Sequence, residues 1–229
     1  MKKGMAYLLI IASLFWGAAA VFAGEKANPI KVACVGDSIT YGFGIENRET
    51  QSYPAQLGRT LGARFSVHNF GRNGRTALKR GHAPYWKTPE YKAALALQAD
   101  IVVIKLGTND LRSMNWDKHS AEYVPDYIDL IRSFQALESK PTIWICYPVP
   151  TYPGHDKIKF NNDTIKHDLV PKIDEVAKQT GVNIIDLNTT LNDQEEMFPD
   201  KVHPNANGAR LIATEVAKTI RHKFPVQTK

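Results

Sequence analysis

Cysteine is nearly absent from this chain of 229 residues: only Cys34 and Cys146 occur. One disulfide is the most they could form, which excludes a disulfide-stapled scaffold. Both lie in apolar β-like runs, Lys31 to Val35 and Thr142 to Cys146, where a small thiol packs well, so two free, buried thiols are expected. The chain also lacks a P-loop and a dinucleotide fingerprint, and its histidines show no metal-ligand spacing. No nucleotide, cofactor or metal is therefore expected. Internal repeats, low-complexity linkers and charge blocks are missing too, which leaves nothing to mark a second domain. The formal charge of +6 is spread out, with Arg72, Arg75, Lys79, Arg80 and the tail Arg221, His222, Lys223 its densest stretches. A nucleic-acid binder would concentrate basic residues on one helix or stripe among aromatics, so no nucleic-acid partner is expected.

One long apolar run exists, from Tyr7 to Val21 behind Lys2 and Lys3, and it ends in Val21-Phe22-Ala23. This is the layout of a signal peptide over residues 1–23, because signal peptidase accepts only small side chains at the cleavage site. An uncleaved anchor is the alternative, but the run is short for a spanning helix and no cysteine follows it for lipid attachment. The expectation is a single domain over residues 24–229, exported to the periplasm or beyond and not inserted in a membrane after cleavage.

Short β-branched runs alternate with helical periodicity through the rest of the chain. Strands are expected at Ile30–Val35, Phe65–Phe70, Ile101–Leu106, Thr142–Tyr147 and Asn183–Leu187. Helices are expected over 53–61 and 89–98, around Tyr123 to Phe134, over 163–180 with a kink or restart at Pro171, and from about Pro204 onward. This alternation predicts a parallel sheet of about five strands covered by helices on both faces. Two long connections, 71–88 and 147–162, leave the carboxyl ends of strands, where open α/β sheets place ligands.

Four short blocks sit at such places: Gly36-Asp37-Ser38, the loop Gly71-Arg72-Asn73-Gly74-Arg75-Thr76, Gly107-Thr108-Asn109-Asp110, and Asp200-Lys201-Val202-His203-Pro204. A serine hydroxyl is too weak a nucleophile alone and needs an adjacent base. His203 can be that base, and Asp200, three positions before it, can reach back to fix its tautomer. The N–H groups of Ser38 and Gly74 and the Asn109 amide can serve as donors to a developing oxyanion. The same loop holds a second glycine, Gly71.

In order and spacing these blocks resemble the GDSL/SGNH hydrolase family, over about Lys31 to Phe224. The resemblance implies a three-layer α/β/α sandwich around a flavodoxin-like sheet, and an esterase with Ser38, Asp200 and His203 as the catalytic triad and with Ser38, Gly74 and Asn109 as the oxyanion hole. The family's pattern around the oxyanion glycine matches Gly74-Arg75-Thr76 better, which leaves Gly71 a turn residue. The nucleophile in Gly-Asp-Ser, not Gly-x-Ser-x-Gly, separates it from ordinary α/β-hydrolases. Gly74-Arg75-Thr76 is similar to the family's carbohydrate acetylesterase branch, which implies a small-molecule or polysaccharide acetyl ester as substrate.

Asp37, Arg75, His82 and Trp86 are candidate substrate contacts, with Asp37 alternatively bracing the turn that holds Ser38. Tyr85, Trp86 and Trp116 are either platforms for a sugar ring or ordinary packing. Competing readings are a lysophospholipase or thioesterase of the same fold, a metallophosphoesterase, and a carbohydrate-binding protein without catalysis. The absence of a long apolar loop speaks against an acyl-chain tunnel. The missing Asp-x-His speaks against the phosphoesterase.

Overall fold

Five runs become strands in the computed structural model, which describes residues 28–155 and 158–225: β1 (Ile30–Gly36), β2 (Phe65–Gly71), β3 (Ile101–Lys105), β4 (Thr142–Tyr147) and β5 (Asn183–Asp186). The expected leader over 1–23 lies outside the described residues. All pairings are parallel, in the order β2-β1-β3-β4-β5. This is the flavodoxin-like order, in which the direction of strand addition across the sheet reverses at β1 and β3 and opens a crevice at their carboxyl ends.

Period-two alternation explains why both faces are covered. Ala33, Val35, Val102, Ile104, Ile143 and Ile145 enter one apolar cluster, whereas Val32, Cys34, Ile101, Val103, Trp144 and Cys146 enter the other. The helices are α1 (Ser38–Tyr41), α2 (Arg48–Gln51), α3 (Tyr53–Leu61), α4 (Pro89–Ala96), α5 (Ser113–His119), α6 (Tyr123–Gln135), α7 (Asn162–Thr164), α8 (Val170–Thr180), α9 (Leu187–Leu191) and α10 (Ala206–Lys223). Apolar stripes of α4, α6 and α8 cover the first face, and those of α3, α9 and α10 the second. The result is the expected three-layer sandwich. Cys34 and Cys146 are free and buried in the second cluster. Burial pushes the Cys34 thiol up to about 12.

Three boundaries differ from expectation for local reasons. The helix expected over 163–180 is broken into α7, a π-helical turn at Ile165–Leu169, and α8 with Pro171 in its first turn. Proline lacks an N–H and its ring crowds the carbonyl four residues back, and a wide π turn relieves both. The last helix begins at Ala206, because Asn205 caps it by accepting from the N–H groups of Asn207 and Gly208. β5 stops at Asp186, whose carboxylate accepts from Thr189 N–H and opens α9 where Leu187 was expected in a strand.

Candidate active site

β1 delivers its last residue, Gly36, into a space too small for a side chain: a Cβ there would lie 2.5 Å from the Lys105 carbonyl oxygen and 2.2 Å from Thr40 Oγ1. Asp37 follows and caps α1, accepting from Ile39 N–H at 3.0 Å. Ser38 is then the first residue of α1, 7% exposed, with its carbonyl accepting from the N–H groups of Gly42 and Phe43. The tight turn holds its hydroxyl at the carboxyl edge of the sheet.

From the far end of the chain, the loop before α10 folds over this edge. Ser38 Oγ lies 2.8 Å from His203 Nε2, across 165 residues of sequence. His203 Nδ1 lies 2.6 Å from Asp200 Oδ2, and Asp200 Oδ1 accepts from the N–H groups of His203 at 2.7 Å and Val202 at 3.0 Å. The reversal is made at Lys201, which adopts a left-handed φ of 69°. Burial alone would raise the Asp200 carboxyl, but the donors on His203 and Val202 outweigh it and hold it below the usual carboxylate range. An ionised carboxylate beside Nδ1 leaves Nε2 free to accept a proton from Ser38.

The remaining block residues close around the same pocket of about 270 Å³, which Ser38, Gly74, Asn109, Asp200 and His203 all line. Gly74 has φ 74°, the left-handed region that favours glycine, and a Cβ there would meet nothing within 4 Å. The N–H groups of Ser38 and Gly74 bond no described residue. Asn109 Nδ2 donates one hydrogen to the Arg75 carbonyl at 3.1 Å, which leaves its second for a ligand. Gly71 differs in kind. It ends β2, and a Cβ on it would lie 2.1 Å from Tyr41 N, so it permits close approach of the helix behind Ser38.

Four expected substrate contacts do not line this pocket. Asp37 is fully buried and pairs with Lys105 Nζ, so it braces the nucleophile turn from below. Trp86 packs against the core, donates its ring N–H to the Ala77 carbonyl and lies edge-on to Tyr91, while Tyr85 is fully buried. Tyr85 likewise donates its hydroxyl to the Phe70 carbonyl at 2.7 Å, so both aromatics face inward. Arg75 turns its Nε back to the Asn73 carbonyl. His82 is held at Asn115, whose Oδ1 accepts from His82 N–H at 2.8 Å. Burial, with the charges of Arg112 and Arg75, lowers the His82 ring below its ordinary value.

Sequence reasoning missed several residues here. Lys105, fully buried, bonds both Asp37 and Thr108 Oγ1, the latter at 2.8 Å. Asn115, 1% exposed, donates to the Asn109 carbonyl at 2.8 Å. Phe43 sets its ring 4.7 Å from that of His203 and, with Arg112, His155 and Ile158, walls the pocket. A charged residue inside an otherwise apolar strand was the one available signal for Lys105. Asp110, by contrast, is placed as an orienting residue: it accepts from the N–H groups of Ala77 and Leu78 and pins the loop that follows Gly74. Among the described residues, no three His, Cys, Asp or Glu side chains are grouped to hold a metal ion, and no helix is long and apolar enough to cross a membrane.

Residues 34–211 match the model of the GDSL-like lipase/acylhydrolase family. An acetylxylan esterase of Xylanibacter ruminicola is 38% identical over 214 residues, which cover 86% of this chain and 44% of that relative. The chain thus spans less than half the length of the curated relative it matches. Among solved structures, a carbohydrate acetylesterase family member from Sinorhizobium meliloti aligns with TM-score 0.68 at 20% identity, over 86% of this chain and 99% of that one. The native aryl esterase of M. smegmatis aligns with TM-score 0.66 at 18% identity, over 84% and 98% of the two chains. These two likenesses establish the shared fold.

Proposed function

The chain belongs to the GDSL-like lipase/acylhydrolase family, and on that premise we propose that it is an ester hydrolase that removes acetyl groups from a carbohydrate through a Ser38 acyl-enzyme. The observation that carries this reading is the 2.8 Å contact between Ser38 Oγ and His203 Nε2. Ser38 Oγ attacks the ester carbonyl carbon while its proton passes to His203 Nε2. The N–H groups of Ser38 and Gly74 and the Asn109 amide receive the oxyanion. Collapse breaks the bond to the sugar oxygen, which leaves with the proton from His203. Water, deprotonated by the same ring, then attacks the acyl-enzyme, releases acetate and restores Ser38.

A pocket of about 270 Å³ suits a small acyl group, and the acetylxylan esterase likeness supports acetyl as that group. Arg75 and Thr76 after Gly74 agree with a carbohydrate substrate. The leader expected from the sequence over 1–23 would place that work outside the cytoplasm. Acetate release from acetylated xylan is the test: Ser38→Ala is expected to abolish it while oligosaccharide binding survives. Undiminished release by Ser38→Ala would overturn the mechanism.

A further inference from the structure

Arg112 is the N-cap residue of α5, half-buried, and its side chain lines the Ser38 pocket. Several other basic residues of the loops are engaged, Arg72 with Glu90 at 3.1 Å, Arg80 with Glu122 at 2.9 Å, Lys201 with Glu195 at 2.8 Å, and Arg75 with the Asn73 carbonyl, and none of them lines the Ser38 pocket. No described residue lies within hydrogen-bond or ion-pair distance of the Arg112 guanidinium. Asp200, the carboxylate of the same pocket, is committed to His203 and Val202. Arg112 also lines a second hollow beside the pocket, with Trp116, Lys159 and Phe160. Asp117 and Asp168 line that hollow too, yet neither comes within ion-pair distance of Arg112. A half-buried arginine in the pocket wall with no side-chain donor engaged can take an acceptor from a bound ligand.

We propose that Arg112 is an anion-recognition residue that selects acetyl esters carrying a carboxylate near the ester, the fitting class being an O-acetylated uronic acid unit of a polysaccharide. This rests on the ester-hydrolase reading of the Ser38 pocket and adds the substrate's charge to it. The guanidinium fork engages both carboxylate oxygens at once, a geometry an ammonium cannot reproduce. The chain's positive formal charge, which loss of Lys2 and Lys3 with the expected leader would lower but not reverse, favours encounter with a polyanion.

The test compares 4-acetoxybenzoate with its neutral counterpart 4-acetoxybenzamide, and an O-acetylated galacturonan with the same polymer after methyl esterification of its carboxylates. The wild-type protein is expected to favour the anionic member of each pair by about tenfold in kcat/KM, an advantage carried by KM and eroded by added salt, in line with a charge-assisted contact. Arg112→Gln should bring both ratios to about one, and Arg112→Lys, which keeps the charge without the fork, should retain part of the preference. A wild-type ratio of one, or an equal loss on both members of a pair in Arg112→Gln, would overturn the anion site. Undiminished turnover by Ser38→Ala would instead overturn the hydrolytic assignment, which the ratios do not measure.

Discussion

Lys105 Nζ stands 3.1 Å from Asp37 Oδ2, and the two side chains are 1% and 0% exposed. The pair lies under the pocket, and Lys105 also bonds Thr108 Oγ1. One ammonium therefore ties the residue before Ser38 to the residue before Asn109. Two loops that leave β1 and β3 at the switch point are fixed to each other by charge.

Lys105→Met leaves the Asp37 carboxylate buried without a partner, and loss of one member of a buried pair costs about 3–5 kcal/mol. Urea denaturation should show that loss. Adding Asp37→Asn removes the stranded charge, so the double variant should be more stable than Lys105→Met alone. A double variant no more stable than the single would mean that the pair carries no coupling. A positioning role also predicts that kcat falls in the double variant with KM little changed, because the substrate does not touch either group.

The sheet was legible because its evidence is local. Five apolar runs with abrupt Gly, Pro or Asn ends form β1 to β5, and the helical stretches between them call for parallel crossovers, whereas the flavodoxin-like order came with the family resemblance. The four blocks were legible for the same reason, since each directly follows a strand or precedes a helix. Lys105 was not legible, because its partner Asp37 lies 68 residues away and nothing near Lys105 reports it. Trp86 misled in the opposite direction. An aromatic in a long loop reads as an exposed platform, but this loop folds back on the core, with Thr76 N–H bonded to the Ala83 carbonyl and Tyr85 N–H to the Thr76 carbonyl. Arg112 follows the Asn109 block directly, yet its want of a partner is visible only in three dimensions.

Asn109→Ala is expected to lower kcat by about 10² to 10³ with a small effect on KM, as for loss of one oxyanion donor. Asn109 also donates to the Arg75 carbonyl, so part of the loss could come from a displaced loop. Asn115→Ala separates the two: it frees the Asn109 carbonyl without touching the pocket amide. A loss as large in Asn115→Ala as in Asn109→Ala would assign the effect to loop position and not to the donor.

Asp110 predicts a pH dependence of stability. Burial pushes its carboxyl up from 3.8 to about 7, against the two N–H donors of Leu78 and Ala77. The folded state therefore binds the proton more tightly than the unfolded one. Its contribution is fully present below about pH 4 and is lost as pH rises toward 7, with a total on the order of 4 kcal/mol. Asp110→Asn cannot ionise, so the slope of unfolding free energy between pH 4 and 7 should flatten relative to the parent. An unchanged slope would mean that Asp110 is ionised throughout that range.

The two glycines of the second block should fail differently. In Gly71→Ala the new methyl meets the backbone of Tyr41 and Thr40, at 2.1 Å from N and 2.5 Å from C, and backbone cannot swing aside. Overpacking of this kind costs about 1–3 kcal/mol, and because the displaced backbone belongs to the helix that begins at Ser38, melting temperature and kcat should fall together. In Gly74→Ala no atom lies within 4 Å of the methyl, but φ is 74°, a conformation that costs an L residue about 1–2 kcal/mol. The loop can relieve that strain only by turning the residue 74 N–H away from the pocket. The Gly74 variant should therefore lose more in kcat than its melting temperature would suggest, with KM little altered. Melting curves and steady-state kinetics on the same preparations distinguish the two, and wild-type kcat in Gly74→Ala would remove that N–H from the oxyanion site.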